Sequence, residues 1–410
     1  MIFAKEQALS LEGKWRTLLL LALAELLGMA VWFSASAVVP ALTAAWNLNV
    51  NGRAWLTMSV QIGFVVGALG SAILNLADRI PATRFFTVSA ILAGIATLLI
   101  PLLARGLPLA LVLRFLTGMF LAGVYPMGMK IMATWTQADR GLGIGLLVGA
   151  LTVGSASPHL INALGGMGSW QFVLYLAAVS AIVGGLLNFF FVREGPYRSQ
   201  TPPFHWRTVN RILRNREVIL ANLGYLGHMW ELFAMWSWVQ LFLLASFEKT
   251  AVSPIWASVA TFAVIAIGGL GSLLAGPLAD RLGRTTITIA SLLVSSTVSL
   301  VIGFFFGGNP VLLVAIALIW GFAVVADSAQ FSAAVTELAD KQIIGTALTL
   351  QTSLGFLLTL FTIRLVPVME TAVGWRYAFM ILAVGPAVGI VAMWWLRQSE
   401  RAQVMANGHR

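Results

Sequence analysis

Twelve times along its 410 residues this chain sustains an apolar run of about 20 residues or more, and that recurrence constrains the fold before any motif does. A hydrocarbon layer ~30 Å thick is crossed by about 20 residues of helix, and a backbone inside it must satisfy its own hydrogen bonds. The runs predict spans 1 to 12 at 17–40, 54–77, 83–104, 108–133, 142–164, 169–192, 218–245, 253–279, 285–306, 310–336, 342–367 and 374–396. Hydrophobic residues make up 59% of the chain and charged residues 10%, against roughly 45–50% and about 25% in soluble domains. Too few polar groups remain to cover a surface facing water. The fold class expected is an all-α membrane protein. The first run follows Lys5, Lys14 and Arg16 and ends at "SASA", as a secretory leader does. It outlasts the 7–15 apolar residues of a leader's core, so it reads as an uncleaved first helix.

Charge gives the orientation. With the N-terminus in the cytoplasm, nineteen of the 25 Lys and Arg residues fall in inside segments, five fall outside, and Arg114 lies within span 4. That bias predicts both termini in the cytoplasm and a multi-pass chain in the cytoplasmic (inner) membrane. The net charge of +10 then belongs to short loops beside lipid headgroups, and no nucleic-acid partner is expected. The chain has no cysteine, which excludes disulfides, thiolate catalysis and cysteine-held zinc. Residues 193–217 are basic and proline-containing. They are expected to form a cytoplasmic linker, with Trp206 among the headgroups, between a six-helix bundle at 1–192 and another at 218–410.

The two halves repeat. "LADR" occurs at 76–79 after span 2 and at 278–281 after span 8, an offset of 202 residues at matching places. Parallel six-span repeats are one architecture of secondary transporters. The second copy, "GPLADRLGRT", resembles the loop signature of the major facilitator superfamily, with Gly276, Asp280, Arg281, Gly283 and Arg284 in their places. The resemblance implies a twelve-helix transporter working by alternating access. It also implies a gating latch at Asp280, Arg281 and Arg284, and at Asp78, Arg79 and Arg84 in the first copy, where Leu74 and Pro81 replace the two glycines. "LVLRFLTGMFLAG" in span 4 resembles a motif of proton-coupled members, with Thr117 where glutamine is usual. Span 5 is glycine-rich like the antiporter motif, keeping Gly145 and Gly154 but placing Pro158 one residue early. Glycines at such spacing also serve simply to bring helices close.

An ionisable side chain near the bilayer centre is costly and normally faces a cavity or a partner. Those inside spans are Glu25, Arg114, His159, His228, Glu231 and Asp327, with Glu337 and Arg364 near span ends where they can reach the interface. Arg114 stays charged and requires a counter-charge or an anionic ligand. Glu25 stands where drug:proton antiporters of the superfamily often hold a carboxylate. On span 7, His228, Glu231, Met235 and Trp238 share a stripe about 100° wide. The His228–Glu231 pair is spaced to share a hydrogen bond and titrate as a unit, and Trp230 and Trp236 point toward lipid or a neighbouring helix. The proton-coupling set expected is therefore Glu25, Glu231, His228, Arg114 and Asp327. The substrate-binding set is Trp32, Phe33, Gln61, Met235, Trp238 and Gln330, with His159 and Asn162 sharing one face of span 5. Aromatic walls suit an organic or cationic solute.

No phosphate-binding loop, zinc-protease motif or nucleophile elbow is present in the sequence, so the driving force is a gradient rather than ATP, and no enzyme activity, metal or cofactor is expected. The expected activity is proton-coupled movement of a small organic solute by a monomer, with export by antiport favoured. Two other readings compete. One is a proton-coupled symporter of a small anion, resembling nitrate or cyanate porters, in which Arg114 binds the anion. It lacks a second arginine on span 10, where Asp327 stands. The other is a membrane receptor or scaffold that keeps the fold without turnover.

Overall fold

The computed structural model describes residues 13–136, 139–165, 169–197, 208–340 and 342–409. Among them, eleven helices are long and apolar enough to cross a membrane: Val50–Ile73, Ala82–Leu103, Leu107–Ala133, Gly141–Leu164, Trp170–Phe191, Arg216–Lys249, Pro254–Leu282, Arg284–Phe305, Pro310–Leu338, Ile344–Val373 and Trp375–Gln398. They are spans 2 to 12. Their lipid-facing sides carry bare hydrocarbon, as at Val88, Phe190 and Leu293.

Span 1 corrects the expectation of one continuous helix over 17–40. Its helix runs Lys14–Met29, opens into turns, and resumes through a short 3-10 segment, Ser36–Val38, into Val39–Trp46. An opened helix frees backbone carbonyls, which is tolerated at membrane depth only where other protein groups take them up. Spans 4 and 10 are interrupted too. Helix Leu107–Leu121 gives way to Tyr125–Ala133, and Pro310–Ala326 to Ser328–Leu338, with Asp327 at the joint.

Spans 1–6 pack mainly on one another, as do spans 7–12, and the two groups meet along two seams, span 5 on span 8 and span 2 on span 11. The first seam is lined by small residues. Gly141, Gly145 and Gly149 meet Gly276, Ser272 and Gly269 backbone to backbone, while Gly154 abuts the carbonyl of Leu26 on span 1. The glycines of span 5 therefore serve close helix approach. Span 10 lies against span 8 in the same way, and a Cβ at Gly321 would sit 1.7 Å from the Val264 oxygen. Gly321→Ala is expected to push spans 8 and 10 apart at a cost of about 1–3 kcal/mol, read as a lower thermal unfolding midpoint in detergent.

The signature loops turn differently. Gly283 adopts φ 97°, a left-handed conformation that suits a residue without a Cβ. The first copy, with Pro81 at that place, makes its left-handed turn at Asn75, φ 53°. Of the linker, residues 198–207 with Trp206 lie outside the described residues, as do Lys5 and Lys341.

Candidate functional site

Between the two groups of spans lies a cavity of about 1720 Å³. Its mouth is at the end carrying both signature loops, where Asp78, Arg84, Lys130, Asp280, Arg284 and Glu337 line it, and Phe64 of span 2 stands at its deep end.

Glu25 is fully buried on span 1, and neither carboxyl oxygen has a hydrogen-bond partner among the described residues. Gly128 of span 4 makes room for it, since a Cβ there would come within 2.5 Å of Oε2. Next to Gly128 in the same half-helix, Tyr125 reaches the cavity wall. Glu25 thus sits between spans 1 and 4, one layer behind the cavity.

Among the described residues Arg114 has no carboxylate partner, and it does not line the cavity. Its Nη1 donates to the Val31 carbonyl at 2.7 Å, its Nη2 to the Trp32 carbonyl, and its Nε to the Leu56 carbonyl at 3.2 Å. Ser34 adds a hydroxyl bond to the Val31 oxygen at 2.9 Å. The opened turn of span 1 supplies the counter-charge, because the carbonyls beyond a helix C-terminus carry the negative end of its dipole.

In the second half the polar stripe of span 7 turns inward, toward spans 10 and 11. His228 Nδ1 lies 2.9 Å from Asp327 Oδ1, with both side chains about 1% exposed. Glu231 Oε1 accepts from Trp320 Nε1 at 2.7 Å, and Trp238 Nε1 donates to the Ile363 carbonyl at 2.8 Å. His228 and Glu231 therefore take their partners from span 10 rather than from each other. Met235 and Trp238 are buried inside this half and do not line the cavity. The opposite face of the same helix, Phe233, Trp236 and Gln240, meets the first half instead. Trp236 lies edge-on to Phe33 of span 1 with ring centroids 5.7 Å apart, so of the two surroundings expected for it, lipid or a neighbouring helix, it takes a helix, one in the first half. Trp230 does take a neighbouring helix, donating to the Ile381 carbonyl of span 12.

The cavity ends at an aromatic plug drawn from four spans. Trp32 packs on Phe64, Phe356 and Phe233 at 5.0, 5.5 and 5.8 Å, and Phe64 on Phe356 at 4.5 Å. Beyond it, Asn162 Nδ2 and Gln240 Nε2 each donate to the Ala37 carbonyl and the Ser258 hydroxyl, at 3.0–3.3 Å. These bonds clasp the two halves together on the side away from the mouth. Neutral hydrogen bonds contribute about 0.5–1.5 kcal/mol each, which is weak enough to break in a working cycle. Removing both amides, as Asn162→Ala with Gln240→Ala, is expected to open that side roughly tenfold more often. Because the chain lacks cysteine, a single Thr57→Cys reporter, buried beside Ser36, reads the change as faster thiol labelling.

The residues expected to form the latch are engaged unequally. Arg284 holds Glu337 through two bonds of 2.8 and 2.6 Å, approaches Asp280 at 3.2 Å, and donates to Gln330 Oε1 at 2.8 Å. Gln330 is therefore both a wall residue and a partner of Arg284. Asp280 also abuts Gly141 at the start of span 5. In the first copy Asp78 pairs with Lys130 at 2.6 Å within its own half, and Arg79 and Arg84 line the mouth. Arg281 is exposed. Sequence reasoning missed Gln240, Ser258, Lys130 and the plug residues Phe64, Phe233 and Phe356, and it discounted Glu337. Gln240 carried a usable signal, since an amide deep in an apolar span must find a partner. The phenylalanines carried none, because they look the same facing lipid.

The comparisons with known proteins agree with this architecture. A relative from Bacillus subtilis (strain 168), described as a putative niacin/nicotinamide transporter, NiaP, is 25% identical over 220 residues, covering 51% of this chain. The match spans about half, 53%, of that relative's own length. A bacterial homologue of the human lysosomal transporter Spinster, solved in an inward-facing, unoccupied conformation, superposes with a TM-score of 0.71 at 14% identity, over 96% of this chain and 98% of that one. The nucleoside transporter NupG, as a D323A mutant, gives 0.69 at 16% identity, over 93% and 99%. The profile of the Major Facilitator Superfamily matches residues 21–357 and again 223–409. With a family match across nearly the whole chain, and eleven long apolar helices and a broken first one packed around a central cavity among the described residues, this protein belongs to the Major Facilitator Superfamily of membrane transporters.

Proposed function

We propose that the chain is a secondary active transporter that couples proton movement to passage of a small organic solute by alternating access, with export by antiport as the direction. One observation carries the reading. Both halves bury ionisable groups between their first and fourth spans, Glu25 against Gly128 in one and His228 against Asp327 in the other. Ionised groups are expensive away from water, so groups kept there are normally tied to an ion or proton pathway. Supporting it, the cavity is open at the mouth, and beyond the plug the two halves are joined by the neutral amides of Asn162 and Gln240. In this cycle Glu25 and the His228–Asp327 pair load and release protons, Glu231 tunes the second site through span 10, and Arg114 positions the bend of span 1. The latch groups Asp78, Arg79, Arg84, Asp280, Arg281 and Arg284 govern the mouth, which on this reading faces the cytoplasm.

The small-anion symporter is disfavoured by Arg114, whose donors are committed to carbonyls and whose side chain is fully buried. The test is reconstitution into proteoliposomes with an imposed pH difference and a panel of neutral, cationic and anionic aromatic solutes. Solute movement that follows the proton gradient is expected. Movement indifferent to that gradient, or none for any solute, sinks the reading.

A further inference from the structure

We propose that the solute site is an uncharged slot that opens at the turn of span 1 as the rings of the plug part, suited to a flat, neutral aromatic molecule that carries an amide-type donor and acceptor. The proposal rests on the transport reading above and adds the chemistry of the cargo.

Three observations converge on this slot. The first is the plug itself, whose rings come from spans 1, 2, 7 and 11 and so from both halves. Ring faces brought together from two moving bodies offer a flat solute stacking surfaces that form and part during the cycle. The second is a set of unused hydrogen-bonding groups. Gln61 lies on span 2 between Thr57, which bonds Ser36, and Phe64, which packs on Trp32, so it faces the opened turn. Both of its amide atoms are buried without partners among the described residues, as are Trp32 Nε1 and Trp236 Nε1. Buried polar groups are nearly always satisfied, and a solute bearing one donor and one acceptor would satisfy Gln61 in both senses.

The third observation is charge. The cation held at this turn, Arg114, directs its bonds to the carbonyls of Val31, Trp32 and Leu56. Glu25 is held against span 4, while Asp327 and Glu231 are turned into the second half toward His228 and Trp320. The acidic and basic residues that line the cavity gather at its mouth. His159, one turn from Asn162 on span 5, is within side-chain hydrogen-bond reach of Gln240, a neutral amide. A charged solute entering the slot would lose its water with no counter-ion to replace it. A neutral one loses little.

The experiment is equilibrium binding to the purified full chain in lipid nanodiscs, with benzamide, benzoate and benzamidinium as near-isosteric neutral, anionic and cationic probes. Benzamide is expected to bind at least about tenfold more tightly than either ion, a margin of about 1.4 kcal/mol. Gln61→Leu should erase that margin. Gln61→Glu, which keeps the shape and adds a carboxylate, should turn the preference toward benzamidinium. Thermal unfolding of both variants checks that they fold. Equal or tighter binding of either ion, absence of benzamide binding, or Gln61 variants that leave the order unchanged would overturn the proposal. The measurement needs no gradient, so its outcome is independent of the coupling test. Gradient-driven movement of a charged solute without benzamide binding would sink the slot and leave the coupling standing.

Discussion

Glu25→Gln is expected to abolish gradient-driven solute accumulation while leaving the protein folded and able to equilibrate solute. Glutamine keeps the shape of the side chain and fits the same space beside Gly128, but it cannot take up or release a proton. Each pH unit across the membrane supplies about 1.4 kcal/mol per coupled proton, a tenfold ratio of solute. If Glu25 carries an obligatory proton, the accumulation ratio under a one-unit gradient should fall from about ten to about one. Solute-driven proton movement, followed by a pH-sensitive dye inside the vesicles, should vanish with it. Counterflow of labelled against unlabelled solute, which needs no net proton movement, should persist and shows that the site still binds. Retention of full gradient-driven accumulation by this variant removes Glu25 from the mechanism. Asp327→Asn is the matching test in the second half, where loss of coupling would show that both inter-span sites take part.

Why Glu25 was legible in the sequence and other features were not has a physical basis. A carboxylate in an apolar run is conspicuous because lipid offers it nothing, so composition alone flags it. The spans, the "LADR" repeat and the charged signature loop of the second half were legible for the same reason. Length, charge and glycine at fixed places survive without knowledge of neighbours. What a one-dimensional reading lacks is the partner. It grouped His228, Glu231, Met235 and Trp238 correctly on one face of span 7, yet polarity on a helix face does not say whether that face meets a cavity or the interior of its own bundle. Asp327, Trp320 and the Ile363 carbonyl, all on other spans, decide it. The opened turn of span 1 was hidden because hydropathy weighs side chains and is blind to backbone direction. "VWFSAS" is as apolar as a helix would be, and only the arginine on span 4 shows that its carbonyls are spoken for.

That arginine gives the second large effect. Arg114→Ala is expected to destabilise the chain rather than to change its solute preference. The side chain joins spans 1, 2 and 4 through the carbonyls of Val31, Trp32 and Leu56, all of them buried. Hydrogen bonds to a charged group contribute about 1.5–3 kcal/mol each, and stranding buried acceptors is costly in itself. Taken as one non-additive unit, the loss should be roughly 3–5 kcal/mol, the scale of removing one partner from a buried ionic pair. It should appear as reduced yield and an earlier thermal unfolding transition in detergent. Arg114→Lys retains the charge, but a single ammonium cannot reproduce the planar fork that reaches two spans at once, so an intermediate loss is expected. If Arg114 instead served an anionic solute, both variants would unfold like the native chain and lose only anion binding. The alternatives therefore separate on a melting curve with no solute present. A bend in span 1 that depends on span 4 also makes the slot around Trp32 and Gln61 a product of the first half's internal packing. On that account, partial loosening by Arg114→Lys should weaken binding of neutral and charged aromatic probes by the same factor, whereas substitutions at Gln61 should change their order.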